Sequence, residues 1–327
     1  MATKDLITLN RSKQSIQAIT DSSQDTLLGV LITAISDAIE KYCRRRFIST
    51  AYDEIYNGEG ERRLLLRQYP IQSVQSVRYR PVTVLKVMNV LPATNQQARV
   101  SVTSVGLKLF RMASGVSSTD TTCTWASNPT LNALANAVNT LGHGWSAQIV
   151  GDAGQIPGQQ GDYGLWPSSD LFWPNSYGDP LDNPSGILES QGALDARNNF
   201  AELKMHTYEL QGYQWDPRGW LLRAIPYTDP ELMHPEDLIF PVGINNFRVQ
   251  YTAGYTTIPE AVQEACAEWV NLTWYKTSRD TGLSAVAVSG AYSETWAQLG
   301  MDPGKPPPTV TKFLAPYRRY SVGINQG

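Results

Sequence analysis

From Leu27 onward, apolar residues recur at three- and four-residue spacing: Leu27, Leu28, Leu31, Ile35, Ala38, Ile39 and Tyr42. That period draws one apolar stripe along an amphipathic helix, a form that is stable only with the stripe laid on a core. Thr20, Asp21 and Ser22 offer N-caps, and Asp25 places a negative charge in the first turn. Arg44, Arg45 and Arg46 stand where the helix dipole ends negative. The pattern predicts a helix over about residues 21–45.

A second helix of this kind comes only near the other end of the chain. Pro259, a favoured first helical residue, opens it, and Val262, Ala265, Cys266, Trp269, Val270 and Thr273 share one face to about Ser278. Trp269 joins that face; Trp274 lies on another side, as a core edge or as a ring set against another subunit. After Pro306, Pro307 and Pro308, a last short helix is expected from about Val310 to Tyr320, ended or kinked by Pro316.

Between the helices the texture is β. Tyr52–Tyr56, the turn Asn57-Gly58-Glu59-Gly60 and Arg63–Leu66 read as a hairpin, and a further strand is expected to end at Pro81. Leu85–Val90, Ala98–Thr103, Gly106–Met112 and Trp145–Val150 alternate as strands. Asn128-Pro129-Thr130 brings a cap and a proline to the start of a short Ala/Asn-rich helix carrying Leu131, Leu134, Ala135, Val138 and Leu141, which Gly142-His143-Gly144 ends. Residues 151–192 are dense in Gly, Pro, Asp, Ser and aromatic rings and read as an ordered loop region. Phe247–Tyr251 is again a strand.

At 327 residues the chain exceeds one comfortable core. Charge divides it as the texture does: residues 82–240 hold 8 basic and 15 acidic side chains, whereas the two flanks together hold 19 and 15. We therefore expect an α+β protein. Residues 1–81 plus 241–327 form a small helical domain with a β-hairpin, interrupted by a β-rich insertion domain at 82–240.

The sequence excludes most chemistry. Its three histidines, His143, His206 and His234, have no metal-ligand spacing, and no phosphate-binding or nucleophile-elbow motif is present. Cys43, Cys123 and Cys266 are far apart and read as buried thiols of a protein made in a reducing compartment. No apolar run is long enough to span a membrane, and the first residues lack a hydrophobic signal region, which argues against secretion by that route. No enzyme, metal or cofactor is expected. Asp162, Asp170, Asp179 and Asp182 lie among Trp166, Phe172, Trp173 and Tyr177, a composition shared by ordinary turns, by sugar-binding platforms and by two-carboxylate glycosidases. Arg44–Arg46 suit either helix-dipole pairing or a protein interface; for Arg318–Arg319 the dipole and solvent suffice. With a net charge of −3 and no broad basic face, sequence-specific DNA binding is not expected.

Several blocks occur in a particular order: Ile39-Glu40-Lys41-Tyr42-Cys43-Arg44-Arg45-Arg46-Phe47, Leu64–Ile71 and Val74-Gln75-Ser76-Val77. After the insertion come Val249–Tyr255, Ile258-Pro259 and Leu314-Ala315-Pro316-Tyr317-Arg318-Arg319. In this order they resemble the head–tail connector (adaptor, or head-completion) proteins of tailed bacteriophages. The similarity covers about residues 1–81 and 241–327 and departs from the compact family pattern by the long insertion. The resemblance implies a structural protein of the virion neck, made in the host cytoplasm, that forms a ring of commonly twelve subunits beneath the portal. Such a ring bonds to the portal protein, receives the next neck or tail protein and continues the DNA channel. It makes Arg44, Arg45, Arg46, Trp274, Tyr317, Arg318 and Arg319 candidate interface residues, and the segment after Pro308 a candidate docking arm. Trp166, Phe172, Trp173 and Tyr177 are the candidate contacts of the insertion, with tail fibres or spikes or, in an adhesin-like protein, with carbohydrate.

Overall fold

The computed structural model describes residues 4–16, 22–103, 105–150, 163–172, 194–210, 212–223, 239–277, 285–288, 292–295 and 305–319. In chain order its helices are α1 (Leu9–Ser15), α2 (Asp25–Cys43), α3 (Leu131–Thr140), α4 (Glu260–Thr277) and α5 (Pro308–Leu314). Its first strands are β1 (Thr50–Gly58), β2 (Arg63–Leu65), β3 (Ile71–Asn89), β4 (Asn95–Val102), β5 (Gly106–Ala113), β6 (Val116–Thr124) and β7 (Trp145–Ile149). Then come β8 (Leu194–Asp195), β9 (Ala201–Glu209), β10 (Tyr213–Asp216), β11 (Trp220–Arg223), β12 (Gly243–Ala253), β13 (Ala285–Val288) and β14 (Tyr292–Thr295). Helices and antiparallel sheets together make an α+β protein.

The chain forms two compact units. Met1–Ser49, Arg67–Pro70 and Ala253–Gly327 make the helical unit; Thr50–Leu66 and Ile71–Thr252 make the β unit. These limits differ from the sequence-based ones, which put 50–66, 71–81 and 241–252 with the flanks. The reason is β3: it runs unbroken from Ile71 to Asn89 and carries the sheet across the expected junction. Pro81 does not end it. Arg80, at φ 61, turns the chain locally, and Pro81 then pairs with His206 in the β3–β9 ladder. A proline costs only the ladder bond its missing N–H would have made.

In the helical unit Leu28, Ile35 and Ile39 of the expected α2 stripe are buried, together with Ile32, in one core with Val262, Cys266, Trp269 and Val270 of α4 and Val310 and Leu314 of α5, whereas Leu27, also expected in the stripe, is 41% exposed. Each buried side chain contributes roughly 1.5–3 kcal/mol on burial. α2 begins later than the caps suggested, at Asp25, behind Gln24, whose side chain makes no cap bond. Thr20 and Asp21 lie outside the described residues. α1, which the sequence pattern did not announce, starts behind Thr8, whose hydroxyl accepts from Arg11 N–H. Arg11 then reaches Glu260 and Glu264 on α4.

The β unit has a five-stranded sheet in the order β1-β12-β3-β7, with β9 also on β3, a four-stranded sheet β6-β5-β4-β8 and a three-stranded sheet β10-β11-β2. α3, capped by the Thr130 hydroxyl on Ala133 N–H, places Leu131, Leu134 and Val138 in a core with Val87, Val100, Leu109 and Leu203. The expected β1–β2 hairpin is not formed: β1 pairs with β12 and β2 with β11, so the Gly58–Gly60 turn passes the chain from one sheet to another. Gly58 lies so close to the 240–247 segment that a Cβ would stand 1.8 Å from the Pro241 carbonyl oxygen. The partner strand comes from far along the chain, and this close approach fixes glycine at the turn.

Candidate assembly surface

The three arginines after α2 go to three different places. Arg44 adopts the left-handed conformation, φ 54, as the C-cap, and its side chain is exposed. Arg45 turns inward and is 1% exposed. Its guanidinium lies 3.7 Å from the centre of the Tyr69 ring, with Phe47 and Tyr255 at 5.2 and 5.3 Å, and donates to the Tyr69 carbonyl. A flat, weakly hydrated guanidinium loses less hydration among such rings than a lysine ammonium would. Arg46 is buried too, and bonds the Glu40 carboxylate at 3.2 Å. The second Glu40 oxygen accepts Phe47 N–H at 3.1 Å, and Arg46 N–H donates to Gln68 Oε1 at 2.9 Å. Burial still pushes the Glu40 carboxyl above its usual range, against Phe47 N–H and the Arg46 charge. Two of the three arginines expected at an interface are therefore internal, because the chain turns back on itself at Arg44 and buries Arg45, Arg46 and Phe47.

The C-terminal segment closes over the same place. Arg319 N–H donates to the Cys43 carbonyl at 2.9 Å, satisfying one of the last acceptors of α2, and its guanidinium donates to the Arg67 carbonyl at 2.6 Å. Arg318 sits 5.0 Å above the Tyr42 ring, and Tyr317 meets Phe47 edge-on at 6.0 Å. The two basic clusters, far apart in sequence, are one. Of the segment after Pro308, expected as a docking arm, residues 309–319 are packed in the helical unit through Val310 and Leu314, and residues 320–327 lie outside the described residues. Exposed beside this site are Arg44, Lys41, Lys312 and Phe313. Trp274 is half-buried against the core of the same unit. Burial pushes the Cys43 and Cys266 thiols up to about 12, so both are inert.

In the β unit the two described insertion candidates, Trp166 and Phe172, turn inward. Phe172 is fully buried and stacked on His206 at 4.5 Å, so it belongs to the core. Trp166 is half-buried and packs edge-on against Tyr163 at 4.8 Å. Asp170 binds Arg78 at 2.7 Å and Arg248 at 3.0 Å, and Arg248 also holds Asp53 at 2.6 Å. Burial works against the Arg248 charge, but Asp53 and Asp170 outweigh it and raise its pKa. Asp170 is thus tied to the sheet, unavailable as a sugar or catalytic carboxylate. Trp173, Tyr177, Asp162, Asp179 and Asp182 lie outside the described residues.

One surface carries no mark in the sequence. Val242 and Ile244, at the start of β12, are 78% and 81% exposed. Their loop is fixed rather than loose: Asn245 N–H donates to Asn57 Oδ1 at 2.8 Å and Gly58 N–H to Asn246 Oδ1 at 2.7 Å. His206 Nε2 meets the Asn245 carbonyl at 2.8 Å, with Asn245 itself at φ 52. Pro241-Val242-Gly243-Ile244 reads as ordinary strand entry, and only the position of the sheet edge shows that its apolar side chains have no core to enter. Among the described residues no group of metal-ligating side chains gathers and no helix is long and apolar enough to cross a membrane.

Residues 5–95 match the family model described as head completion protein. That span takes in α1, α2, the arginine turn and β1 to β3; the blocks from Val249 to Arg319 lie beyond it. A solved structure described as the neck of an empty GTA particle, computed with C6 symmetry, aligns over 98% of this chain and 94% of that one, at 10% identity and a TM-score of 0.33. At that level the alignment carries no argument. No curated protein matches.

Proposed function

We propose that this protein is a structural component of a phage virion, a head–tail connector whose copies form a ring beneath the portal, join capsid to tail and continue the DNA channel. The observation that carries this reading is the head-completion match across α2, its arginine turn and the strands after it. Copies of the chain, the portal protein and the next neck or tail protein are the partners, with twelve subunits as the expected ring. The work is mechanical: docking of preformed surfaces, with DNA passing through without sequence-specific contact. A ring contact is heterologous, so one exposed face of each copy meets a different face of the next. Exposed Arg44, Lys312 and Phe313 in the helical unit and Val242 and Ile244 in the β unit are the side chains such contacts would cover.

Particles assembled without this chain test the role. The expected result is DNA-filled heads and separate tails that join when the purified protein is added. Normal head–tail joining in its absence would exclude a connector. The sugar-binding reading gains no support, because Asp170 and Phe172 are committed to the core.

A further inference from the structure

Asn57-Gly58, within the β unit, is the one asparagine–glycine pair in the chain. In such a pair the glycine nitrogen has no side chain to shield it, and it can close on the asparagine side-chain carbonyl carbon. Packing fixes the glycine here. A Cβ at position 58 would stand 1.8 Å from the Pro241 carbonyl oxygen and 2.7 Å from the Phe247 ring, so no bulkier, slower successor to Asn57 fits. Asn57 has its own task, since its Oδ1 accepts the N–H of Asn245, a β12 residue at φ 52. Its side chain is exposed, so water reaches it. The folded chain nevertheless opposes the reaction in two ways. Asn57 lies in β1, and an extended backbone carries the Gly58 nitrogen away from the carbon it would attack. The Gly58 N–H must lose its proton before the nitrogen can attack, and it donates to Asn246 Oδ1 at 2.7 Å. Asn246 Nδ2 in turn donates to the Pro241 carbonyl at 2.8 Å, so one side chain ties the attacking nitrogen to the approach of β12.

We propose that Asn57 is a modification site, guarded by Asn246 in the folded chain and converted to aspartate and isoaspartate when the start of β12 opens. Hydroxide takes the Gly58 amide proton, and the nitrogen bonds to Asn57 Cγ. The Cγ–Nδ2 bond then breaks, and the nitrogen leaves as ammonia with a proton from water, which restores the hydroxide. The five-membered succinimide that results adds one water. Cleavage between Cγ and the ring nitrogen gives aspartate at position 57. Cleavage between the main-chain carbonyl carbon and that nitrogen gives isoaspartate, with one extra methylene in the main chain. Nothing is oxidised or reduced. Either product sets a negative charge against Asn245, next in the chain to exposed Ile244, and isoaspartate also lengthens β1 against β12. The apolar edge at Val242 and Ile244 therefore changes as the chain ages. This chemistry needs no partner and so does not depend on the connector role.

The test is peptide mapping by mass spectrometry of the full chain held in mildly alkaline buffer, following conversion at residue 57. The folded wild type is expected to convert on the order of a hundredfold more slowly than the same chain unfolded in urea. Asn246→Ala should speed conversion in the folded chain on the order of tenfold, the worth of one hydrogen bond, while the β3–β9 ladder keeps its amide protection. If Asn246→Ala does not fold, the wild type alone decides. In urea below its unfolding midpoint, conversion should rise in step with hydrogen exchange of the Gly58 amide and ahead of exchange in the β3–β9 ladder. A folded wild type that converts as fast as the unfolded chain would overturn the proposal, as would a folded Asn246→Ala chain that converts at the wild-type rate. So would an unfolded chain that stays intact at Asn57, or conversion in urea that follows only the loss of the whole β3–β9 ladder.

Discussion

Among single residues, Glu40 and Arg44 separate burial from exposure four positions apart. Glu40 neutralises buried Arg46 and accepts Phe47 N–H. Glu40→Ala leaves a cation uncompensated inside the helical unit and should cost about 3–5 kcal/mol in thermal or urea melts. Arg44→Ala should stay within about 0.5 kcal/mol, because its side chain is in solvent. His206 gives a pH dependence of definite sign. Burial, with Arg248 and Arg78 nearby and only partly opposed by the Asn245 carbonyl and Asp53, lowers its pKa from 6.5 to about 4. Between those values the unfolded chain takes up a proton that the folded one refuses, so this group's contribution to stability is lost as pH falls from 6.5 toward 4. The loss approaches about 3 kcal/mol. Urea midpoints at pH 7 and pH 4.5 should therefore differ by less in His206→Asn than in the wild type; an equal difference would mean that His206 is protonated in the folded protein.

For the elements, local pattern and long-range partner had unequal weight. α2, α3 and α4 were legible because a 3.6-residue period is written within a few turns of chain; the caps offered before α2 did not mark its start. α5 was legible because Pro307 and Pro308 preset its entry and Pro316 its end. The β1–β2 hairpin was misread because turn residues specify a reversal without specifying which strand then pairs, and β12 is far away in sequence. Three consecutive arginines likewise carry no mark of which faces inward; Tyr69 and Tyr255, which enclose Arg45, lie in other segments. Gly58 allows a direct check on the sheet-to-sheet turn. Gly58→Ala should destabilise the β unit by about 2 kcal/mol or more, since the new methyl meets backbone at 1.8 Å. Gly29→Ala, mid-helix with nothing within 4 Å of its Cβ position, should stabilise by about 0.5–1 kcal/mol.

For the whole molecule, the division into a helical unit and a β unit arises from two cores that share no side chain, one on the α2–α4 stripe and one around α3 and its sheets. The residues that the head-completion family model matches include α2 and run on through β3, so they belong to both units. We propose that the helical part meets one neighbour in an assembly and the β part another. A cryo-EM map of the intact particle neck tests this most directly. The predicted result is rotationally repeated density beneath the portal into which both units fit, with Arg44 and Phe313 or Val242 and Ile244 covered by a neighbouring chain. Finding the chain only along the tail shaft, or absent from finished particles, would contradict it.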